Sequence, residues 1–282
     1  MALSILNNIS SLAAQNQLSV NGSSLQKTLL ALSSGSRINS GADDAAGLAI
    51  ADGLHANVTA LTQSARNATD GLGMLQVADG SLAQVTTLLN RAVTIATEAA
   101  NGTVSTQQQA ALDAEFTAIK SEIDRIGTNT TYNGNQVFSG TASSVYLSDG
   151  TSAGSSSITI TVGTLAQSAI GFSAGLTAVD ISGDDLTSAT NAQAALTDIS
   201  SAVANVAADR GTLGATMNRL QSASNVISNQ VQNLSAAENS IRSADMGQTV
   251  TDMSKFSVLQ QTGIAALQQS NQMQQAVLRL LQ

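Results

Sequence analysis

The chain has 282 residues, a formal net charge of -8, no Cys, Pro or Trp, and only 2 Tyr, 4 Phe and 1 His. Without Cys and with His55 alone, it has no thiol nucleophile, disulfide framework, Cys/His zinc set or two-histidine metal site, and any Ser-His-Asp catalysis would pass through His55. Aromatics at 2% and the negative balance remove stacking platforms and phosphate-neutralising surfaces, so nucleic acid is not an expected partner.

The first ten residues carry neither a basic n-region nor an apolar h-region, so no Sec leader is expected, and no window approaches the roughly 18 to 20 apolar residues of a membrane span. A narrow apolar stripe follows at Leu18, Leu25, Leu29 and Leu32. After Asp43-Asp44, whose carboxylates favour a helix start, a heptad seam runs through Leu54, Val58, Leu61, Ala65, Ala68, Leu72, Leu75, Leu82, Leu89, Val93 and Ala96. Asp79 and Thr86 are its polar exceptions. This spacing predicts one helix of about 55 residues, about 80 Å long, stopped by Asn101-Gly102.

Ser105 with Gln108 fits a capping box opening a second helix through Leu112, Phe116, Ile119, Ile123 and Ile126, with Gly127 ending it. From Tyr132 to about Gly183 the texture turns to Gly, Ser and Thr with β-branched runs at 136–138, 145–147 and 157–162, which read as short strands. Heptad spacing returns through Ala192, Leu196, Ile199, Val203, Val206, Leu213, Met217, Leu220, Ile227, Val231, Leu234 and Ile241, interrupted by Arg210, Ser224 and Glu238. An Arg on such a seam needs an acidic or carbonyl partner. The C-terminal stripe of Ile264, Leu267, Leu278 and Leu281 is too thin among its glutamines to hold a helix folded alone.

These elements predict a mainly α fold: a long antiparallel helical bundle or coiled coil with a small β element at its tip and the terminal helices paired. Such a rod, with apolar stripes left over at both ends, is expected to bury them against copies of itself. No catalytic residue, metal or cofactor is expected. His55 reads as the edge of a helix interface, Gly71 and Gly73 as points of close approach, and Asp43-Asp44 and Asp184-Asp185 as helix-start or turn carboxylates. Asn57, Asn67 and Asn129 open sequons that follow from abundant Asn, Ser and Thr, and Ser155 to Thr161 are candidate O-glycan acceptors.

Several strings resemble bacterial flagellins. Ser36-Arg37-Ile38-Asn39-Ser40-Gly41-Ala42-Asp43-Asp44-Ala45-Ala46-Gly47-Leu48-Ala49-Ile50 and Ala65 to Gly71 are similar to the family's N-terminal region. Arg210 to Ala215, Ala237 to Asp245, Met253-Ser254-Lys255 and Val258 to Gln261 resemble its C-terminal region. The resemblance covers roughly 1–140 and 190–282. It implies an inner D0 domain from 1–43 and 243–282, with assembly stripes Leu18, Leu25, Leu29, Leu32, Ile264, Leu267, Leu278 and Leu281. It implies a D1 domain at 44–242, with a β-rich element at about 132–183 and a core seam of Leu54, Leu61, Leu72, Leu75, Leu82, Leu213, Leu220 and Leu234. No large outer domain fits between the D1 halves.

As a minimal flagellin the chain is expected to be a non-enzymatic filament subunit for motility, exported unfolded through the flagellar type III apparatus, folded at the distal end and located outside the cell. Implied partners are copies of itself, an export chaperone, the filament cap and the hook-filament junction proteins. Flagellins sensed by the innate Toll-like receptor carry Gln-Arg-x-Arg-Glu-Leu-Ala and a later Ala-Glu; Arg91, Ile95 and Glu115 match, while Val93 and Thr94 replace the second Arg and the Glu. A hook-filament junction protein is the alternative, and the run 260–273 resembles flagellin instead.

Overall fold

The computed structural model describes residues 8–150, 157–171 and 177–280, with the side chains of 277–280 outside it. The chain is mainly α and divides into two compact units: Met1–Ala56 with Asn233–Gln282, and Asn57–Gln232.

In the first unit, α1 (Ile9–Ser34) is opened by Asn8, whose side chain accepts from Ser11 N, and closed by Gly35 at φ 68°. The connection to α2 (Ala45–Ala99) is built on two neighbouring carboxylates. Asp43 accepts from Ser40 N at 3.1 Å, Ser40 Oγ at 3.0 Å and Lys27 Nζ at 3.2 Å. These hydrogen bonds, Ser40's first, hold its carboxyl below the usual aspartate value. Asp44 caps α2 by accepting from Gly47 N at 2.8 Å. Gly47 itself has no room for a side chain, since a Cβ there would strike Asp44 and Ile38.

The second unit holds the rest of α2, α3 (Thr106–Asn129) and most of α4 (Ala189–Arg242). Asp79 meets Arg210 and Gly71 lies beside Leu220, so α2 and α4 are antiparallel there; Ala99 with Gln109 and Ser81 with Thr130 set α3 antiparallel to α2. The Ser105 and Gln108 capping box forms with both reciprocal bonds. Gly127 does not end α3, which continues to Asn129. Its missing Cβ instead lets the Leu165 carbonyl sit against the helix. Alanine in a helix interior ordinarily stabilises by about 1 kcal/mol over glycine. Here Gly127→Ala should reverse sign and cost about 1–3 kcal/mol through overpacking, read by urea denaturation; a stabilised variant would mean that the two backbones part freely.

The buried line of α2 is Leu61, Ser64, Ala68, Gly71, Leu75, Ala78, Leu82, Val85, Leu89, Ala92, Ala96 and Ala99. Six of these follow the expected seam; five lie one residue earlier, at Ser64, Gly71, Ala78, Val85 and Ala92 instead of Ala65, Leu72, Asp79, Thr86 and Val93, and Ala99 extends the line. α4 shows the same displacement, burying Ala195, Ala202 and Asp209 instead of Leu196, Val203 and Arg210. Small residues take these buried positions, and the larger Leu72, Val93, Leu196, Val203 and Met217 pack half-buried on the flanks. Leu61, Leu75, Leu82, Leu213 and Leu220 are buried, while Leu54 and Leu234 are half-buried in the first unit. Arg210 and Asp79 are therefore flank residues, paired at 2.7 Å with about a third of each side chain exposed.

Among the described residues the β region has three antiparallel strand pairs. β1 (Thr131–Tyr132) and β2 (Asn135–Gln136) are joined by Asn133 and Gly134, both at positive φ. β3 (Ser143–Tyr146) pairs with β4 (Ser157–Ile160), and β5 (Leu165–Ala166) with β6 (Ala169–Ile170). Val137 and Phe138, expected on a strand, are buried in a turn, and β4 stops before Thr161-Val162. Gly71 admits this region to the bundle, since a Cβ there would lie 2.9 Å from Val145 Cγ2.

The return segment is tied to α3 by side chains accepting or donating to its backbone. Asp124 accepts from Gln167 N at 2.6 Å, Asp113 accepts from Leu186 N at 2.8 Å, and buried Lys120 donates to the Asp184 carbonyl at 2.6 Å. Asp184 Oδ2 is buried without a hydrogen-bond partner, and burial followed by the Asp198 charge pushes its carboxyl up. The folded state then holds the proton more tightly than the unfolded one, so this group's contribution falls as pH rises from 3.8 through the raised folded value. Asp184→Asn should raise the melting temperature at neutral pH and lose that gain near pH 4. Asp185, held low by Thr187 and then Asn191, should show the opposite sign. Equal responses of the two variants in thermal melts would contradict both environments.

Candidate assembly surface

The first unit brings the first and last described helices together. α5 (Met246–Leu280) is capped by Asp245, which accepts from Gln248 N at 3.0 Å, and runs antiparallel to α1. Asn8 Nδ2 donates to the Ser270 carbonyl at 3.5 Å, and Gly263 faces Leu18, whose Cδ1 would be 3.2 Å from an added Cβ. A backbone latch joins the inner ends: Ser36 bridges Ser243, Arg37 N donates to Arg242 O at 2.6 Å, and Ala244 N donates to Gly35 O at 3.0 Å. Ser36 Oγ and the Arg37 guanidinium donate to the Arg242 and Ile241 carbonyls. Arg242 also pairs with Glu238, which lies 3.3 Å from His55 Nδ1, so the lone histidine is part of a surface ion cluster.

Leu18, Leu25 and Leu32 lie half-buried on the α5-facing side of α1, and Leu267 lies half-buried on α5. Leu29 and Ile264 are each 46% exposed; Gly263, beside Ile264, is the residue that faces Leu18. Leu278 lies in α5 with its side chain outside the described residues, as Leu281 is altogether. The pairing is thin. Asn21 is the one buried residue of α1, and no described hydrophobic residue of α5 is buried.

A second apolar row was not among the expected stripes. Ile9, Leu12, Val20 and Leu30 of α1 are 57–71% exposed, Leu30 at the rim of a cleft shared with Thr249 and Asp252 of α5. Their signal in the sequence is spacing by threes and fours on the opposite face from Leu18 and Leu25, interleaved with Asn16, Ser23 and Lys27. These four large aliphatics are apolar surface that the single chain leaves open to solvent.

On the second unit, Arg91 and Glu115 form a bidentate pair at 2.7 and 3.0 Å, mostly exposed; hydrogen bonding to Arg91 lowers the Glu115 carboxyl. Ile95 is fully buried in the core and offers no surface, which removes it as a receptor contact. Among the described residues there is no cluster of metal-ligating side chains, and no helix is long and apolar enough to cross a membrane.

The family model of the bacterial flagellin N-terminal helical region matches residues 5–143, and that of the bacterial flagellin C-terminal helical region matches 196–281. The chain belongs to the flagellin family. This flagellin is 36% identical to the flagellin of Halalkalibacterium halodurans over 277 residues, spanning 98% of the chain and 99% of that relative. It is 32% identical to the flagellin of Bacillus subtilis, again over 98% of the chain and 99% of the relative. Among solved structures, a putative flagellar hook-associated protein from Vibrio parahaemolyticus aligns with a TM-score of 0.57 at 17% identity, covering 71% of this flagellin and 100% of that chain. That likeness concerns the fold alone. The two matched regions of the flagellin meet at the latch between Ser36 and Ser243.

Proposed function

We propose that this flagellin-family chain is the structural subunit that polymerises into the bacterial flagellar filament. The observation that carries the reading is the terminal helix pair, which buries almost nothing by itself while exposing Ile9, Leu12, Val20 and Leu30. Burial shared among copies supplies what one chain lacks, because stabilisation by a partner adds to that of the folded state. Flagellin relatives at 32 and 36% identity over nearly their whole length favour a filament subunit over a hook-filament junction protein.

In this reading residues 1–43 and 243–282 act as the inner D0 domain and 44–242 as D1. The chain is exported through the type III apparatus, meets its chaperone, the filament cap and the junction proteins on the way, and works outside the cell. Its role is mechanical and not catalytic. Arg91 and Glu115 remain exposed enough for an innate receptor, with their charges already spent on each other.

Purified chain added to short filament seeds and followed by electron microscopy tests this. Long tubes are expected. Addition that stops after a few layers would favour a junction protein, and a chain inert toward seeds would overturn the reading.

A further inference from the structure

Asn-Gly occurs three times, at 21–22, 101–102 and 133–134. Without a Cβ on the second residue, its backbone nitrogen can reach the asparagine Cγ. Attack forms an N–Cγ bond and breaks Cγ–Nδ2; the amide proton leaves with the amine as ammonia, and a five-membered imide remains. Water then opens the imide to aspartate or isoaspartate. No oxidant, reductant or co-reactant other than water is consumed.

The fold treats the three sites differently. Asn21 is 5% exposed inside α1, its Oδ1 accepts from Gln17 Nε2 at 3.2 Å, and the helical backbone keeps Gly22 N in the ladder. Asn133 is exposed but held at φ 50°, with Gly134 at φ 79°, by the β1–β2 pairing, which must open before the backbone can flatten into an imide. Asn101 lies beyond the last turn of α2 and is exposed, and nothing lies within 4 Å of where a side chain on Gly102 would begin. Gly102 N has no hydrogen-bond partner among the described residues. Thr103 N donates to Asn101 Oδ1 at 3.2 Å, which polarises the carbonyl under attack and offers a donor to the charge developing on its oxygen.

We propose that Asn101 is a site of spontaneous deamidation, at which the corner between α2 and α3 gains a carboxylate or an isoaspartate. The new charge sits beside the C-terminal carbonyls of α2, where an anion is unfavourable. An isoaspartate adds a methylene to the main chain between two corner hydrogen bonds, Asn101 N to Glu98 O and Val104 N to Asn101 O, both 3.1 Å. The site thus records the age of a chain in its charge and in the order of one corner.

The test holds the full chain in mildly alkaline buffer for weeks and follows all three sites by peptide-mapping mass spectrometry, with hydroxylamine cleavage to trap the imide. Modification at Asn101 should exceed that at Asn133 several-fold and be absent at Asn21, and the chain should shift toward a more acidic isoelectric point. In urea the three sites should react alike, which separates the fold's contribution from the dipeptide's. Gly102→Ala should cut the Asn101 signal several-fold with the helical signal unchanged, and Asn101→Gln should abolish it. An intact Asn101, or an Asn133 that reacts as fast in the folded chain, would overturn the proposal.

Discussion

Replacing both Val20 and Leu30 with Asp should stop seeded elongation, or raise its critical concentration steeply, while the melting temperature and helical signal of the free chain stay unchanged. The two side chains are 58% and 60% exposed, so in the free chain the new carboxylates remain in water. In the proposed packing of copies the same face becomes dry, and an unpaired buried charge there costs several kcal/mol per subunit. Repetition along a polymer compounds that penalty at every added subunit. The conservative pair Val20→Ile and Leu30→Met keeps the apolar face and should elongate normally. Elongation of the Asp variant at the ordinary critical concentration would remove this row from the assembly surface, and a lowered melting temperature would assign it to the fold of the single chain.

Stability of the second unit should respond strongly to truncation of Leu75. This side chain is fully buried among Ala78, Leu82 and the residues of α4, and truncation to Ala leaves a cavity costing about 2–5 kcal/mol. Against a typical total of about 5–15 kcal/mol, that is a large share. Leu72→Ala is the informative companion, because a plain heptad reading puts Leu72 and Leu75 on one seam with equal weight. In the structure Leu72 is half-buried on the flank beside Gly71, so its truncation should cost clearly less. Urea denaturation of the two variants decides between the registers. Equal losses would restore the seam through Leu72 and contradict the small-residue line.

Much of the chain's local structure is legible without coordinates because it is made by neighbours in sequence. Asp44 precedes the start of α2, Ser105 and Gln108 close a reciprocal cap, and the apolar spacing gives a helix of 55 residues, observed as Ala45–Ala99. Asn133-Gly134 marks a two-residue hairpin by its chemistry alone, although the expected strands began beyond it. The family strings at 36–50 and 237–245 likewise lie along the sequence, and the structure joins them at the latch.

What the tertiary structure alone decided is the register of burial. A helix with 3.6 residues per turn satisfies a 3-4 repeat along two adjacent lines, and local hydrophobicity picks the line with the larger side chains. Packing instead buries the line of smaller residues, so Gly71 lies inside against Val145 and Leu220 in place of Leu72, Ala202 in place of Val203, and Gly263 faces Leu18 in place of Ile264. The fold also buries Ile95, exposes Leu29 and carries α3 past Gly127, whose bare face receives the Leu165 carbonyl. Each of these outcomes depends on what a distant segment places against the helix, and that neighbour is fixed by the fold and not by the spacing of residues along one element.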